Sequence, residues 1–304
     1  MSPTLTEARP VSSPVENKRT VVDYRSENKP TWCPGCGDFG VLAALYKALQ
    51  TKNLDPKDVV IVSGIGCSGR LPEFAATYGF HGVHGRALPI AMGVKQANPK
   101  LTVIAVGGDG DGFAIGGGHV PHAVRRNVDI TYIVMDNQVY GLTKGQPSPT
   151  TPQGETALKV SSSMRKMAPY GDIIDRPLNM LALVLTYGAS FVARGFSGQP
   201  GLLTDLYLKA LDHKGFSFVQ ALSPCPTFFN TYDQWKELVE TLPKDWDASD
   251  RLKALQLAFT EEAPHTGLWH EDDRPSMDEM FGAVVEKARG EVTPTLETFF
   301  KQYM

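Results

Sequence analysis

LTVIAVGGDGDGFAIGGG, residues 101–118, decides how this chain folds. Its first part is a run of mostly β-branched apolar residues with no polar alternation, which suits a strand buried on both faces. The glycines that follow end the strand in a tight turn. IGGGHVPHAVRRN (115–127) then reads as a helix weakened by its glycines, and DITYIVMDN (129–137) as a second buried strand. Strand, helix and parallel strand make one crossover unit of an α/β sheet.

The same alternation extends outward. DVVIVSG (58–64) is a strand, and GRALPIAMGVKQAN (85–98) a helix despite Pro89. Further on, LNMLALVLTYGA (178–189) reads as a helix, SFVARGF (190–196) as a strand, GLLTDLYLKALDHKG (201–215) as a helix and FSFVQALSPC (216–225) as the last strand. Asp38, ahead of FGVLAALYKALQ, has the character of a helix N-cap. The expected fold is a doubly wound, mostly parallel sheet with helices on both faces, whose ligands bind at the carboxyl ends of the strands. Residues 1–30 are polar and Pro-rich and read as a flexible arm. Residues 31–225 form the α/β domain, and 226–304 a helical extension.

Composition narrows the function. The 304 residues are 42% hydrophobic and 21% charged, ordinary for a globular chain. A net charge of −3 argues against a dedicated nucleic-acid binder. No apolar run approaches the roughly 20 residues of a membrane helix. The first residues carry no apolar signal core, so a cytoplasmic location is expected. Residues 226–304 hold 16 acidic and 8 basic side chains, against 17 and 22 in residues 1–225. The acidic end reads as solvated surface.

Two constellations carry chemistry. Asp109 sits in the turn GGDGDG, and Asn137 ends the next strand 28 residues later. A carboxylate and an amide oxygen at adjacent strand ends suit Mg²⁺, which takes few protein ligands and is completed by phosphate oxygens and water. The glycines let backbone N–H groups approach a diphosphate. The plainer reading is an ordinary βα turn. The second constellation is the four cysteines, Cys33 and Cys36 in a C-x₂-C knuckle, Cys67 after a strand and Cys225 after the last one. Four thiolates serve a [4Fe–4S] cluster or a structural zinc, and spacing alone leaves both open. Buried apolar cysteines would account for Cys67 and Cys225 but not for CPGC. His81/His84 and His119/His122 form H-x₂-H pairs beside glycines and read as surface or core histidines.

In order, WCPGCGDFG (32–40), GIGCSGR (64–70), HGVHGRALPIAMG (81–93), GGDGDGFAIGGGH (107–119) and MDNQVYGLTKGQ (135–146) resemble the β subunits of 2-oxoacid:ferredoxin oxidoreductases, and most nearly the 2-oxoglutarate (KorB-like) type. The resemblance spans Trp32 to Cys225. It implies a thiamine diphosphate-binding fold, with Mg²⁺ on the side chains of Asp109 and Asn137 and the carbonyl of Val139. It implies that Ile65, Gly66, Cys67, Ser68, His84, Gly110, Asp111, Gly141 and Leu142 line the thiamine diphosphate site. It implies one [4Fe–4S] cluster on Cys33, Cys36, Cys67 and Cys225.

The implied activity is coenzyme A-dependent oxidative decarboxylation of a 2-oxoacid, with electrons leaving through the cluster to ferredoxin, and the reverse CO₂-fixing reaction is open to the same machinery. The chain has one such αβ domain. The glutamate that thiamine enzymes set against the aminopyrimidine ring, and much of the coenzyme A site, are therefore expected on an α (or fused γα) subunit in an α2β2 assembly. Arg70 and Lys144 are the candidates to meet substrate carboxylates. Two cations lean toward 2-oxoglutarate, which carries two carboxylates, over pyruvate. A non-redox thiamine enzyme subunit, a zinc-stabilised binding module and a pyruvate-type oxidoreductase are the alternatives.

Overall fold

The computed structural model describes residues 18–153, 175–290 and 295–303. Its centre is an eight-stranded sheet in the order β2-β1-β3-β4-β8-β7-β10-β9. The strands of this sheet are β1 (Val59–Ser63), β2 (Tyr78–His81), β3 (Thr102–Gly108), β4 (Ile130–Asp136), β7 (Phe191–Phe196), β8 (Phe216–Leu222), β9 (Glu240–Thr241) and β10 (His265–Glu271). A separate hairpin joins β5 (Val139–Tyr140) to β6 (Gln146–Pro147). The six strands from β2 to β7 run parallel. All five strands expected from sequence are present.

Alternate residues of each central strand face opposite layers, as the pleat requires. Val103, Ala105, Tyr132 and Val134 pack with Leu88, Ala91 and Met92 of the helix Ala87–Ala97. Ile104, Val106, Ile133 and Met135 pack with Val41, Leu45 and Leu49 of the helix Asp38–Thr51 and with Leu206 and Tyr207 of the helix Pro200–Asp212. Both faces are apolar, which is why these strands read as continuous hydrophobic runs. Pro89 is tolerated because it occupies the first turn of its helix, where the N–H has no intrahelical acceptor. The glycines at 116–118 do weaken their segment. Residues Asp111–Ile115 and Gly117–His119 form irregular turns, and regular helix begins only at Val120. Among the described residues, no helix is long and apolar enough to cross a membrane.

Three expectations are corrected. Asp38 is the first residue of its helix rather than the cap, and its carboxylate accepts a hydrogen bond from Ser223 Oγ instead of a helix N–H. The arm ends earlier than residue 30. Tyr24 is fully buried and donates to the Leu54 carbonyl at 2.7 Å, while Arg19 pairs with Asp55 at 2.8 Å.

The segment after 225 is not helical throughout. β10 joins the sheet antiparallel to β7, with a register shift between Leu268 and His270. Trp269 of β10 is fully buried, its ring lies 5.1 Å from the Arg194 guanidinium, and Trp246 donates to its carbonyl at 3.0 Å. The strand HTGLWHE escaped notice because Gly, two His and Glu dilute its apolar signal and the irregularity breaks its alternation. Trp269 thus ties the acidic end of the chain to the core. Trp269→Ala is expected to cost about 3–5 kcal/mol, measured by denaturant unfolding. A loss below 1 kcal/mol would show that β10 is not integral to the domain.

Candidate functional site

The parallel register brings four strand ends level. Ser63 pairs with Val106, Gly108 with Met135, and Asp136 with Leu222. The chain leaves these ends as the segments beginning at Gly64, Asp109, Asn137 and Ser223. A cleft of about 190 Å³ opens there. Ile65, Gly66, Cys67 and Ser68 line it from the first segment, and Asp109, Gly110 and Asp111 from the second. Asn137, Val139, Gly141 and Leu142 line it from the third, with His84 from the loop before the helix Ala87–Ala97. Every residue expected at the diphosphate or the cation borders this one cleft. Asp38, Met135, Tyr140 and Thr143 line it as well.

Asp111 holds the cleft in shape. Its Oδ1 accepts from the backbone N–H of Ile65 at 2.9 Å and of Gly85 at 2.7 Å, and lies 2.7 Å from His84 Nδ1. The imidazole therefore carries its proton on Nδ1, assigned from the acceptor it faces, which leaves Nε2 free of this bond. A Cβ on Gly64 would fall 2.0 Å from Asp111 Oδ2, so a glycine is required there.

Asp109 sits deeper. Its Oδ2 accepts from Thr150 Oγ1 at 2.7 Å, and the same hydroxyl lies 3.0 Å from Asp136 Oδ1. One hydroxyl has one proton to give, so it donates to one of the two carboxyls at a time. Burial, then the neighbouring Asp136, holds Asp109 well above the usual carboxylate range, and burial also raises Asp136. Asn137 Oδ1 accepts from the Val139 N–H at 3.0 Å, and a second lone pair remains.

Cys67 lines the cleft, and the Cys33–Cys36 knuckle and the Cys225 segment are tied to its surroundings. Gly35 adopts φ +81° within CPGC, and Cys36 N–H donates back to the Cys33 carbonyl at 3.0 Å. Gly37 N–H donates to the Pro224 carbonyl at 3.0 Å, and Trp32 Nε1 to the Cys67 carbonyl at 2.7 Å. These two bonds tie the knuckle to the Cys225 and Cys67 segments. All four thiols are free. A Cβ placed on Gly141, in the cleft wall, would lie 3.6 Å from both Cys67 Sγ and Cys225 Sγ. Burial, then the carboxyl of Asp38, raises the Cys36 thiol, and the same causes push Cys67 up to about 12. Thiols held protonated in this way release protons when a metal binds. Among the described residues, no three His, Cys, Asp or Glu side chains meet closely enough to hold a single metal ion.

Arg70 and Lys144 do not reach the cleft wall. Arg70 pairs with Glu73 at 3.0 Å and lies 5.9 Å from the Phe74 ring. Lys144 follows Thr143 at φ +78° in the turn between β5 and β6. His81 faces Glu73 at 3.7 Å, and His122 lies beside Arg125. Sequence reasoning gave no role to Thr150, Asp136, Gln220 or Arg194. Only Asp136, next to Asn137, carried any signal.

The fold and the site together define a thiamine diphosphate-dependent class. The model for the thiamine pyrophosphate enzyme C-terminal TPP binding domain matches residues 64–221, and that for the C-terminal part of the pyruvate ferredoxin oxidoreductase beta subunit matches 225–286. The chain is 47% identical over 222 residues to the 2-oxoacid:ferredoxin oxidoreductase subunit beta of Saccharolobus solfataricus, covering 71% of this chain and 70% of that one. It is 38% identical over 261 residues to the 2-oxoglutarate synthase subunit KorB of Methanothermobacter marburgensis, covering 84% and 88%. The 2-oxoglutarate:ferredoxin oxidoreductase from Magnetococcus marinus, solved with 2-oxoglutarate, coenzyme A and succinyl-CoA bound, superposes with TM-score 0.89 at 41% identity, covering 96% of this chain and 98% of that one. The chain belongs to the β subunits of the 2-oxoacid:ferredoxin oxidoreductase family.

Asp38 supplies a pH signature. Burial raises its carboxyl from 3.8 to about 6 against the bonds from Ser223 and Cys36, and its Oδ2 has no partner. Between those values the folded metal-free chain binds more protons than the unfolded one, so stability falls as pH rises through that window. The deficit reaches about 3 kcal/mol above pH 6. The thermal midpoint of the metal-free chain is expected to drop from pH 4.5 to 7, and Asp38→Asn to flatten the profile. Identical profiles for the two proteins would refute this.

Proposed function

We propose that this chain is the β subunit of a 2-oxoglutarate:ferredoxin oxidoreductase, catalytic only with its α (or fused γα) subunit, in an α2β2 assembly. The cleft holds thiamine diphosphate, with Mg²⁺ on Asp109, Asn137 and the Val139 carbonyl. Cys33, Cys36, Cys67 and Cys225 hold one [4Fe–4S] cluster. The observation that carries this reading is Gly141. It borders the cofactor cleft, and its Cα carries no side chain toward the thiols of Cys67 and Cys225. Electron transfer from the cleft to a cluster needs a thin wall of that kind.

The residues fit the groups. The donor set at the cation position is oxygen only, as Mg²⁺ prefers. Gly110 has no room for a side chain, since a Cβ there would press on the Tyr140 ring at 2.3 Å, and this keeps backbone exposed beside Asp109. The four free thiols match the requirement of a cubane cluster. Bound thiamine diphosphate supplies the electron sink for decarboxylation, and the cluster accepts electrons one at a time. The chain's own task is to hold those groups close, exclude water, and keep His84 oriented through Asp111.

Ile65 and Leu142 are exposed in the cleft lining, and Tyr78 and Phe80 along β2, an edge strand of the sheet. An apolar rim of this kind suits an α subunit that closes over the cofactor. Coenzyme A and the 2-oxoacid enter at that junction, and ferredoxin docks outside it. The 2-oxoglutarate assignment draws on the Magnetococcus marinus and Methanothermobacter marburgensis relatives. A broad 2-oxoacid specificity is the second reading, favoured by the 47% identity to the Saccharolobus solfataricus protein.

Purified anaerobically with its partner, the chain is expected to be brown and to carry about four irons. Asp109→Ala should abolish Mg²⁺-dependent thiamine diphosphate binding in calorimetry and leave the iron in place. Cys225→Ser should lose iron and leave cofactor binding measurable. A full iron complement in Cys225→Ser, or unchanged cofactor affinity in Asp109→Ala, would overturn the corresponding assignment.

For substrate, Arg70, two residues beyond Ser68, and Lys144, next to Thr143, flank the cleft lining and are the carboxylate candidates. Lys144→Ala should lower kcat/KM more for 2-oxoglutarate than for pyruvate, by about 1–3 kcal/mol for a lost charged hydrogen bond. Equal losses on both substrates, or a wild-type preference for pyruvate, would favour the broad reading.

A further inference from the structure

Thr150 lies outside every motif that carries the proposed chemistry, yet its buried hydroxyl sits between two buried carboxyls. It is 2.7 Å from Asp109 Oδ2 and 3.0 Å from Asp136 Oδ1. The bonding continues across the sheet. Asp136 Oδ2 accepts from Gln220 Nε2 at 2.7 Å, and Gln220 Oε1 accepts from Arg194 Nε at 2.9 Å. Arg194 in turn reaches both oxygens of Glu261, at 2.8 and 2.9 Å. The strands β3, β4, β8 and β7 that carry or precede Asp109, Asp136, Gln220 and Arg194 are successive neighbours. The chain of bonds therefore runs from the cleft to the C-terminal segment along the wall of a second cavity, which Asp136, Thr150, Gln220, Arg194 and Glu261 line.

Mg²⁺ demands near-ideal octahedral geometry, so a carboxylate that ligates it must be aimed before the ion arrives. Asp109 opens the glycine-rich helical turn that follows β3. Its hydrogen-bond partner does the aiming. Partners one bond away from a metal ligand typically change metal affinity ten- to hundredfold when removed. We infer that Thr150 is the positioning residue of the cation site, holding one oxygen of Asp109 and anchored through Asp136 and Gln220 to Arg194 and its partner Glu261. This rests on the reading of Asp109 as a magnesium ligand.

The test uses the assembled complex. Thr150→Val keeps the shape and removes the hydroxyl, and Thr150→Ser keeps the hydroxyl and removes the methyl. Mg²⁺ affinity is measured by calorimetric titration in the presence of thiamine diphosphate, with Mn²⁺ paramagnetic resonance as a direct probe of the ion's environment. Iron content and the thermal midpoint monitor integrity. The expected result is a ten- to hundredfold loss of Mg²⁺ affinity in Thr150→Val, an altered Mn²⁺ spectrum, and near-normal binding in Thr150→Ser.

Normal affinity in Thr150→Val, or an equal loss in Thr150→Ser, overturns the proposal. Gln220→Met, farther along the chain of bonds, should weaken Mg²⁺ in the same direction. It decides the matter if Thr150→Val does not assemble, because unchanged affinity in Gln220→Met removes the anchoring. Asp109→Ala separates the two levels. If Asp109→Ala loses Mg²⁺ while Thr150→Val and Gln220→Met do not, the positioning role fails and the ligand assignment stands. If Asp109→Ala binds normally, the ligand assignment itself has failed.

Discussion

Asp111 is the constraint on which the cleft depends. One of its carboxylate oxygens takes three donors from two loops, the Ile65 and Gly85 N–H groups and His84 Nδ1. Neither loop has regular structure to hold it, and a buried carboxylate accepting backbone N–H bonds is among the stronger restraints available. The arrangement needs glycines around it. A Cβ on Gly64 would collide with Asp111, and one on Gly112 would fall 2.0 Å from the Tyr132 hydroxyl. The glycines of GIGCSG and GGDGDG thus serve packing around a charge as much as access for a ligand. Removing Asp111 would free the first wall and the His84 loop together.

Parallel strands explain why so much polar chemistry is concentrated at one edge. All six parallel strands end on the same side, so every βα loop is delivered there. Asp38, Asp109, Asp111 and Asp136 are all buried at this edge. Four buried acids in one region oppose ionisation, and burial raises Asp38, Asp109 and Asp136. The Arg194 guanidinium, linked to Asp136 through Gln220, works against that rise.

β10 shows how the C-terminal segment contributes. It extends the sheet antiparallel to β7, buries Trp269 over Arg194, and follows Glu261, the residue that closes the bonding chain. The family models divide the chain near residue 225, but the packing does not. Trp269 and Ala258 belong to the same core cluster as Val103 and Tyr132.

The sequence by itself determined the parallel core, because strands buried on both faces and helices of period 3.6 leave unmistakable apolar patterns. Pattern also put Asp109, Asn137 and their glycines at strand ends, where a parallel sheet must deliver them, whereas Ile65, Gly66, Ser68, His84, Gly141 and Leu142 entered only through the family resemblance. The assignment of Cys33, Cys36, Cys67 and Cys225 to one cluster came only from the family resemblance, as spacing admits several partners for a lone cysteine. Tertiary structure alone decided the rest. The pairing of Arg70 with Glu73, one helical turn on, is a tertiary detail of this kind. Thr150, Gln220 and Arg194 matter through partners that are distant in sequence, and a single Thr, Gln or Arg carries no periodicity to announce it. The role of β10 depended on a register shift and on a tryptophan meeting an arginine from another strand, neither of which a local pattern encodes.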